Sequence, residues 1–567
     1  MHFPLVVAAF ALPAALAPRP LAAAHHGIAP LPRESCALEL GAADELELLL
    51  PAGAVVVFRA ASVDALLEPL ARWSGDSAAD PAGALAEWFG SDVTARGVFE
   101  RLDLGRPAGF ALELDESLSP RFTLAFPADD AEGLAALASE HIPMLMARVS
   151  GNYVVLESEE PQAPNTQPNA AAVALAGRDL GLHVDLASLR EAFGPLIEMG
   201  FDQAEVQLDA SSQSDPTAAV ALEQIDDGRR LLASATSFDA YAMLSGENVS
   251  LQGRLELSDD TWTRAKIGST PRNLLGLARL VDPRAALTIV QAGDQGAHAS
   301  EGLAMLELLE GNSDERAQPV FALVKRSLAL FGENKVDSGV LNLAFGLDGL
   351  QASMYFSSPD SAALLEGLAR WISAEEWSTL GLEFSGPHEN STGGAAWREY
   401  RAKLDVERFA RQLAPELAAE GAPDAAQLAE AQRALDALFG PRGLAISFAA
   451  KEGLVVIRVG GGEAHALECI ARTERPQPSL PSALADAFAA TNGAYAASIF
   501  QLDLGRALAQ IEGFAAALGE SIDLPVGLSG ESLPVTFHSA AGPRSLWGGL
   551  AIDAHQLTRF LQVLREF

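Results

Sequence analysis

The chain has 567 residues, 49% apolar and 20% charged, with 75 acidic residues against 39 lysines and arginines and a net charge of −36. That composition supports sizeable buried cores and excludes global disorder, and the acid excess excludes a basic face for nucleic acid or for electrostatic docking on anionic lipid. Two cysteines exclude both a disulfide-stapled scaffold and a Cys-rich metal centre.

In chain order, the apolar run FPLVVAAFALPAALA at 3–17, followed by small residues at Ala22 and Ala24, reads as a signal peptide over 1–24. No Lys or Arg precedes the run, a departure from the usual pattern. A flexible leader is expected over 25–44. Cys36 follows Arg33 and Glu34, not the small residues that precede a lipid-modified cysteine. Cys36 could pair with Cys469 in an oxidising compartment; alternatively Cys469, inside the helical EAHALECIAR, is a small buried residue, and the helical pattern favours the second reading. No later stretch reaches the ~18 apolar residues of a membrane span, so no span is expected in the mature chain.

One grammar then recurs: an apolar strand, an aspartate, an amphipathic helix. It appears at 55–72, 180–196, 400–417, 496–514 and 549–564, with Asp64, Asp185, Asp405, Asp503 and Asp553 at the junctions. An aspartate there accepts from the unpaired amides of the first helical turn, so these five read as caps and not as a metal or catalytic array. A second unit is a β-hairpin leading into a helix, at 110–126, 338–356 and 444–459, and a further hairpin at 146–158 turns at Gly151-Asn152. PQAPNTQPN (161–169) and GNSDERAQP (311–319) are loops. The expected fold is α+β: repeated modules of mostly antiparallel sheet with amphipathic helices on one face, in two related halves, 45–265 and 275–567.

The strings LLPAGAVVVFRA (49–60), VSGNYVVLES (149–158) and NGAYAASIFQLDLGRAL (492–508) resemble a family of uncharacterised exported bacterial proteins. Those proteins carry a domain of unknown function, and their mature region opens with Leu-Pro-Ala and a hydrophobic strand. The resemblance implies an envelope or extracellular location and a repeated α+β build; it offers no catalytic residues.

Motif chemistry is sparse. None of the five lysines follows a phosphate-loop glycine pattern, and no GxGxxG opens a helix after a strand. GLSGES around Ser529 has the wrong spacing for a nucleophile elbow, and Thr263, Ala322, Gly332, Tyr400 and Phe448 stand three before the lysines where SxxK needs serine. No histidine pair has HExxH spacing. His388, in the polar FSGPHENSTGG, reads as an exposed loop residue, and His183, in LGLHVDL, as a satisfied strand residue. A mature start at His25 would offer amine and ring to copper, but no distant histidine is identified to complete such a site. Asp226-Asp227-Gly228 and Ser258-Asp259-Asp260 lack calcium-loop spacing and read as solvated turns, and Trp371 and Trp377 as core packing. No catalytic, cofactor-binding or metal-ligating residue is therefore assigned, and no cofactor. The expectation is an exported, periplasmic or extracellular, non-enzymatic binding protein whose partner is an unidentified protein or apolar ligand, not nucleic acid. The alternatives are a carrier of an apolar ligand or lipid between sheet and helices, or a hydrolase of envelope polymers. No oligomeric state is assigned.

Overall fold

Period-two runs rich in Val, Ile, Phe and Tyr make the strands, and short Gly- or Asn-bearing turns fold them into antiparallel hairpins. The computed structural model describes residues 45–65, 101–142, 144–159, 167–212, 216–244, 248–293, 317–346, 349–405, 443–474, 479–518 and 532–566, with isolated positions within 68–98, 302–310 and 408–439. The expected signal peptide, leader and Cys36 lie outside the described residues.

The first elements are α1 (Glu45–Leu49), β1 (Val56–Ala60), β2 (Ala108–Leu114), β3 (Pro120–Pro127), α2 (Ala131–His141), β4 (Met146–Ser150), β5 (Tyr153–Glu157), α3 (Ala170–Ala174), β6 (Leu180–Asp185), α4 (Leu186–Ser212), α5 (Pro216–Ser234), β7 (Ala235–Met243) and β8 (Asn248–Leu257). Next come α6 (Thr261–Lys266), a 3₁₀ turn (Leu275–Leu280), β9 (Leu287–Ala292), α7 (Gln318–Glu333), β10 (Ser338–Gly346), β11 (Gly349–Ser357), α8 (Ser361–Ile372), α9 (Glu375–Thr379), β12 (Leu382–Thr392) and β13 (Ala395–Leu404). They are followed by β14 (Ala445–Lys451), β15 (Leu454–Val459), α10 (Gly462–Glu474), α11 (Ser482–Thr491), β16 (Ala496–Asp503), α12 (Leu504–Leu518), β17 (Pro534–Ala541), β18 (Ser545–Asp553) and α13 (Ala554–Glu566).

The chain divides into two compact units, and every strand pair within each is antiparallel. One unit holds the described parts of 26–200, 231–259 and 544–567. Its strands run β4-β5-β3-β2-β1-β6-β7-β8-β18. The other holds 201–230 and 260–543, with strands in the order β12-β13-β14-β15-β11-β10-β9-β16-β17. This is the α+β, hairpin-built class expected from the sequence.

Helices cover both faces of these sheets, not one. The reason lies in strands buried at every position: β5 and β15 turn no side to solvent, so each face needs a lid. In the 260–543 unit, α7, α8 and α9 close a core on Leu341, Met354, Phe356, Phe448, Val455 and Ile457. Trp371 and Trp377 sit in that core, edge to face at 5.0 Å, and their indole N–H groups donate to the Leu323 and Trp371 carbonyls. On the opposite face lies α10, whose Cys469 carbonyl accepts from the Tyr355 hydroxyl at 3.3 Å. In the other unit α1 and α3 close one face over Val57, Ala111 and Val155, and α2 the other over Val154 and Leu156.

The junction aspartates cap as expected at four sites. Asp185 accepts from the Ser188 amide at 2.9 Å, Asp405 from Arg408 at 3.0 Å, Asp503 from Arg506 at 3.1 Å and Asp553 from Gln556 at 2.8 Å. At the first junction the cap is Ser62, which accepts from the Ala65 amide at 2.9 Å; Asp64 is already inside the turn. Two further expectations are corrected. Asp226-Asp227-Gly228 is not a solvated turn but part of α5, where Asp227 pairs with Lys266 at 2.7 Å. FSGPHENSTGG is not a loop: its first part is β12, a strand paired with β13 alone among the described residues and exposed over 386–391. An edge strand wet on both faces loses the alternation that marks a strand in sequence, and Pro387 is tolerated where the register shifts.

Chain reversal from β15 into α10 uses Gly460, Gly461 and Gly462, with φ of +67°, +72° and +59°. A Cβ on Gly460 would meet the Leu350 carbonyl oxygen at 2.0 Å, which is backbone and cannot swing away. Gly460→Ala is expected to lower unfolding free energy by about 2–3 kcal/mol, against about 1 kcal/mol for Gly453→Ala, where a Cβ meets nothing within 4 Å and only the left-handed conformation is penalised. Urea titrations of the two variants check this, and equal midpoints would contradict the clash.

Candidate functional site

Antiparallel register brings polar side chains from successive strands into a single row. In the 260–543 unit the row runs Thr536, Gln501, Thr288, Asn342, Ser353, Arg458, Ser447, Glu399 and His388, each directly opposite the next. From Thr536 to Ser447 all are buried, on the face that α10 covers. Most of their polar atoms find partners in one another or in nearby backbone, and Arg458 Nε has none among the described residues. Asn342 donates to the Leu280 carbonyl at 2.9 Å and to Ser353 Oγ at 3.2 Å, and accepts from the Asp282 amide at 2.8 Å. Arg458 donates to Ser447 Oγ at 2.7 Å, to Glu399 at 3.0 Å and to the Gly462 carbonyl, with its guanidinium 5.6 Å from the Trp397 ring.

Beside the row, Arg472 donates to Asp282 at 2.5 Å. Burial works to raise the Asp282 carboxyl, yet Arg472 and Arg284 hold it below the usual carboxylate range. Burial pushes the Cys469 thiol up to about 11, and raises the Tyr355 hydroxyl as well. Cys469 is buried, as the helical pattern suggested, and free among the described residues, and a thiol so far from thiolate is a poor nucleophile. Burial also lowers His465 to about 4, with Arg458 and Arg472 adding to the effect and the Gly460 carbonyl opposing it. His538, on β17, is lowered to about 4 by burial alone. Cys469, Tyr355, His465 and His538 are thus shut in and held neutral, while Asp282 stays ionised against Arg472. An apolar cavity of about 30 Å³ lies on the other face, lined by Ile289, Phe331, Val336, Met354 and Phe356 among others. It has room for little more than a water molecule.

In the other unit a row of directly opposed residues runs Met146, Glu157, Thr123, Ala111, Val57, His183, Asp239, Arg254 and Trp547. Here the centre is apolar, and the polar groups gather on β6, β7 and β8. His183, Asp239 and Arg254 are half-buried, with side chains 23%, 32% and 28% exposed, so they are reachable from solvent. His183 Nδ1 lies 2.7 Å from Asp239 Oδ1. That contact fixes the orientation of the imidazole ring. Arg254 pairs with Glu256 on its own strand. One row further along, the Tyr241 hydroxyl donates to Gln252 at 2.6 Å, and Arg178 stacks on the Tyr241 ring at 4.3 Å. Asp185, at the end of β6, is lowered despite burial by hydrogen bonds from Ser188.

His183 was expected as a satisfied strand residue, and its bond to Asp239 is that. Its neighbours Asp239, Tyr241, Gln252 and Arg254 were not singled out. The period-two patterns of 237–243 and 250–257 place them on one face, but only the pairing register puts them against His183. His388 is exposed on β12, opposite Glu399. His465 is buried in α10. Among the described residues no group of three His, Cys, Asp or Glu is placed to hold a metal ion, and no helix is long and apolar enough to cross a membrane.

No family model matches the chain, and no curated protein does. The solved structure described as crystal form III of TP0453 aligns over 51% of this chain and 98% of its own, at 9% identity and a TM-score of 0.23. At that score the likeness carries no argument about fold or function.

Proposed function

We propose that the chain is an exported, non-enzymatic binding protein of the bacterial cell envelope that meets its partner through the half-open row His183–Asp239–Arg254. The observation that carries this is the contrast between the two rows. One is sealed; the other presents an oriented imidazole, a carboxylate and a guanidinium at the ~5 Å spacing of neighbouring strands. Such a ruler of fixed donors and acceptors suits a polar protein surface, since rigid, pre-positioned groups lose little entropy on docking. Export is supported by the apolar run at 3–17 and by the strongly acidic composition. The matched strand orders also support an internal duplication, with β4-β5-β3-β2-β1-β6-β7 corresponding to β14-β15-β11-β10-β9-β16-β17 and the β12–β13 hairpin added in the later copy.

Native mass spectrometry on protein recovered gently from the envelope fraction tests the proposal. A mass beginning at His25 and a complex with one discrete protein are expected. The complex should be lost in the variant carrying His183→Ala, Asp239→Ala and Arg254→Glu, with the fold retained by circular dichroism. A mass beginning at Met1 would sink export. A lipid-sized adduct that leaves on denaturation would replace this reading with the carrier, and turnover of an envelope polymer with the hydrolase.

A further inference from the structure

The two units end in unequal sheet edges. In the 260–543 unit the terminal strand is β12, guarded by Pro387, a register shift and the charged Glu383 and Glu389. Those are the devices by which proteins keep foreign strands off an open edge. The terminal strand of the other unit is β4, which pairs with β5 alone among the described residues. It has no proline, and its one charge, Arg148, is spent on Glu157 through two bonds of 3.0 and 3.2 Å. Around it Ile142, Met144, Met146 and Val149 are exposed, Met144 by 79%. An unguarded edge with flexible thioethers on it is a surface for a partner and not for water.

What fits such an edge is visible in the other unit. Strand for strand, β14 corresponds to β4, and β14 is not an edge: β13 lies on it antiparallel, with Trp397 opposite Ala449 and Glu399 opposite Ser447. β13 reads AAWREYRAKL and carries Arg398, Arg401 and Lys403 against Glu399 alone. A net-basic strand also suits the chain's acid excess and the exposed Glu132 and Glu140 of α2, which packs on β4. A second copy would bring the same net charge of −36 to the contact, and a five-residue strand offers too little area to offset that. We infer that β4 accepts an extended, net-basic segment of another protein as an added antiparallel strand, in the place that β13 takes on β14. This surface is five strand spacings, about 24 Å, from the row on β6–β8, and its test is independent of that row.

The probe is a fluorescein-labelled, end-blocked peptide of sequence AAWREYRAKL, titrated onto the full chain and followed by anisotropy and by amide hydrogen exchange. Saturable binding is expected, with exchange slowed at residues 146–150. Binding should weaken at least tenfold for Met146→Lys with Val149→Lys, both at exposed positions that the fold does not need. A scrambled peptide of equal charge should bind at least tenfold more weakly than the ordered one. Slowed exchange at 445–451 instead, unchanged affinity in the double variant, or equal binding of the scrambled peptide would overturn the inference. So would concentration-dependent dimerisation of the chain that the double variant abolishes, because the occupant would then be a second copy.

Discussion

Arg458→Met is expected to lower the stability of the 260–543 unit by about 3 kcal/mol, the largest single-residue effect foreseen for its polar row. The change takes a donor from three groups at once: the Glu399 carboxylate, Ser447 Oγ and the Gly462 carbonyl. Removing one partner of a buried ion pair costs about 3–5 kcal/mol, because the other charge stays buried. The lower end applies, since Glu399 keeps a second donor in the exposed Arg401 at 3.0 Å. Arg458→Met together with Glu399→Leu should recover most of the loss, the apolar pair needing no partners. Urea unfolding monitored by tryptophan fluorescence measures both. A single variant within 1 kcal/mol of the parent would show that the row does not depend on these bonds.

Lowering the pH from 7 to 5 is expected to remove about 4 kcal/mol from the same unit, half through His465 and half through His538. Both rings are held neutral to about 4 in the fold, mainly by burial, whereas in the unfolded chain they protonate at the ordinary value of 6.5. Between those values the unfolded state binds the extra protons. Stability is therefore complete above 6.5, falls as the pH drops towards 4, and draws no further loss from these rings below that. Neither ring nitrogen of His538 has a hydrogen-bond partner among the described residues. His538→Leu should thus hold or raise stability at pH 7 and halve the loss at pH 5. Urea midpoints at pH 7, 6 and 5 for parent and variant decide it. Parallel curves for the two proteins would mean that His538 is not held neutral.

Much of this architecture is legible from residue pattern. The hairpins at 110–126, 146–158, 338–356 and 444–459 were readable because strand period, turn residues and capping aspartates agreed locally. What escaped was set by tertiary position. β12 lacks alternation because an edge strand has water on both sides. The helix α4 runs on through Gly194-Pro195, a local stop signal that its neighbours override. The polar row was illegible for a different reason. Asn342, Ser353 and Arg458 look like scattered polar residues in apolar strands until hairpin and crossover registers align them. The His183 row shares that limit: alternation places Asp239 and Arg254 on one face, but nothing local says which residue of β6 stands opposite.

The pairing of β18 with β8, from Ser545↔Glu256 to Asp553↔Asn248, sets an order of events during synthesis. The strand that covers β8 leaves the ribosome roughly 290 residues after it, so one flank of the earlier sheet stays bare while the whole of 260–543 is made. Ribosome-bound intermediates of this chain therefore carry an open strand edge through about half of synthesis, and that is where a nascent-chain chaperone has the most to shield.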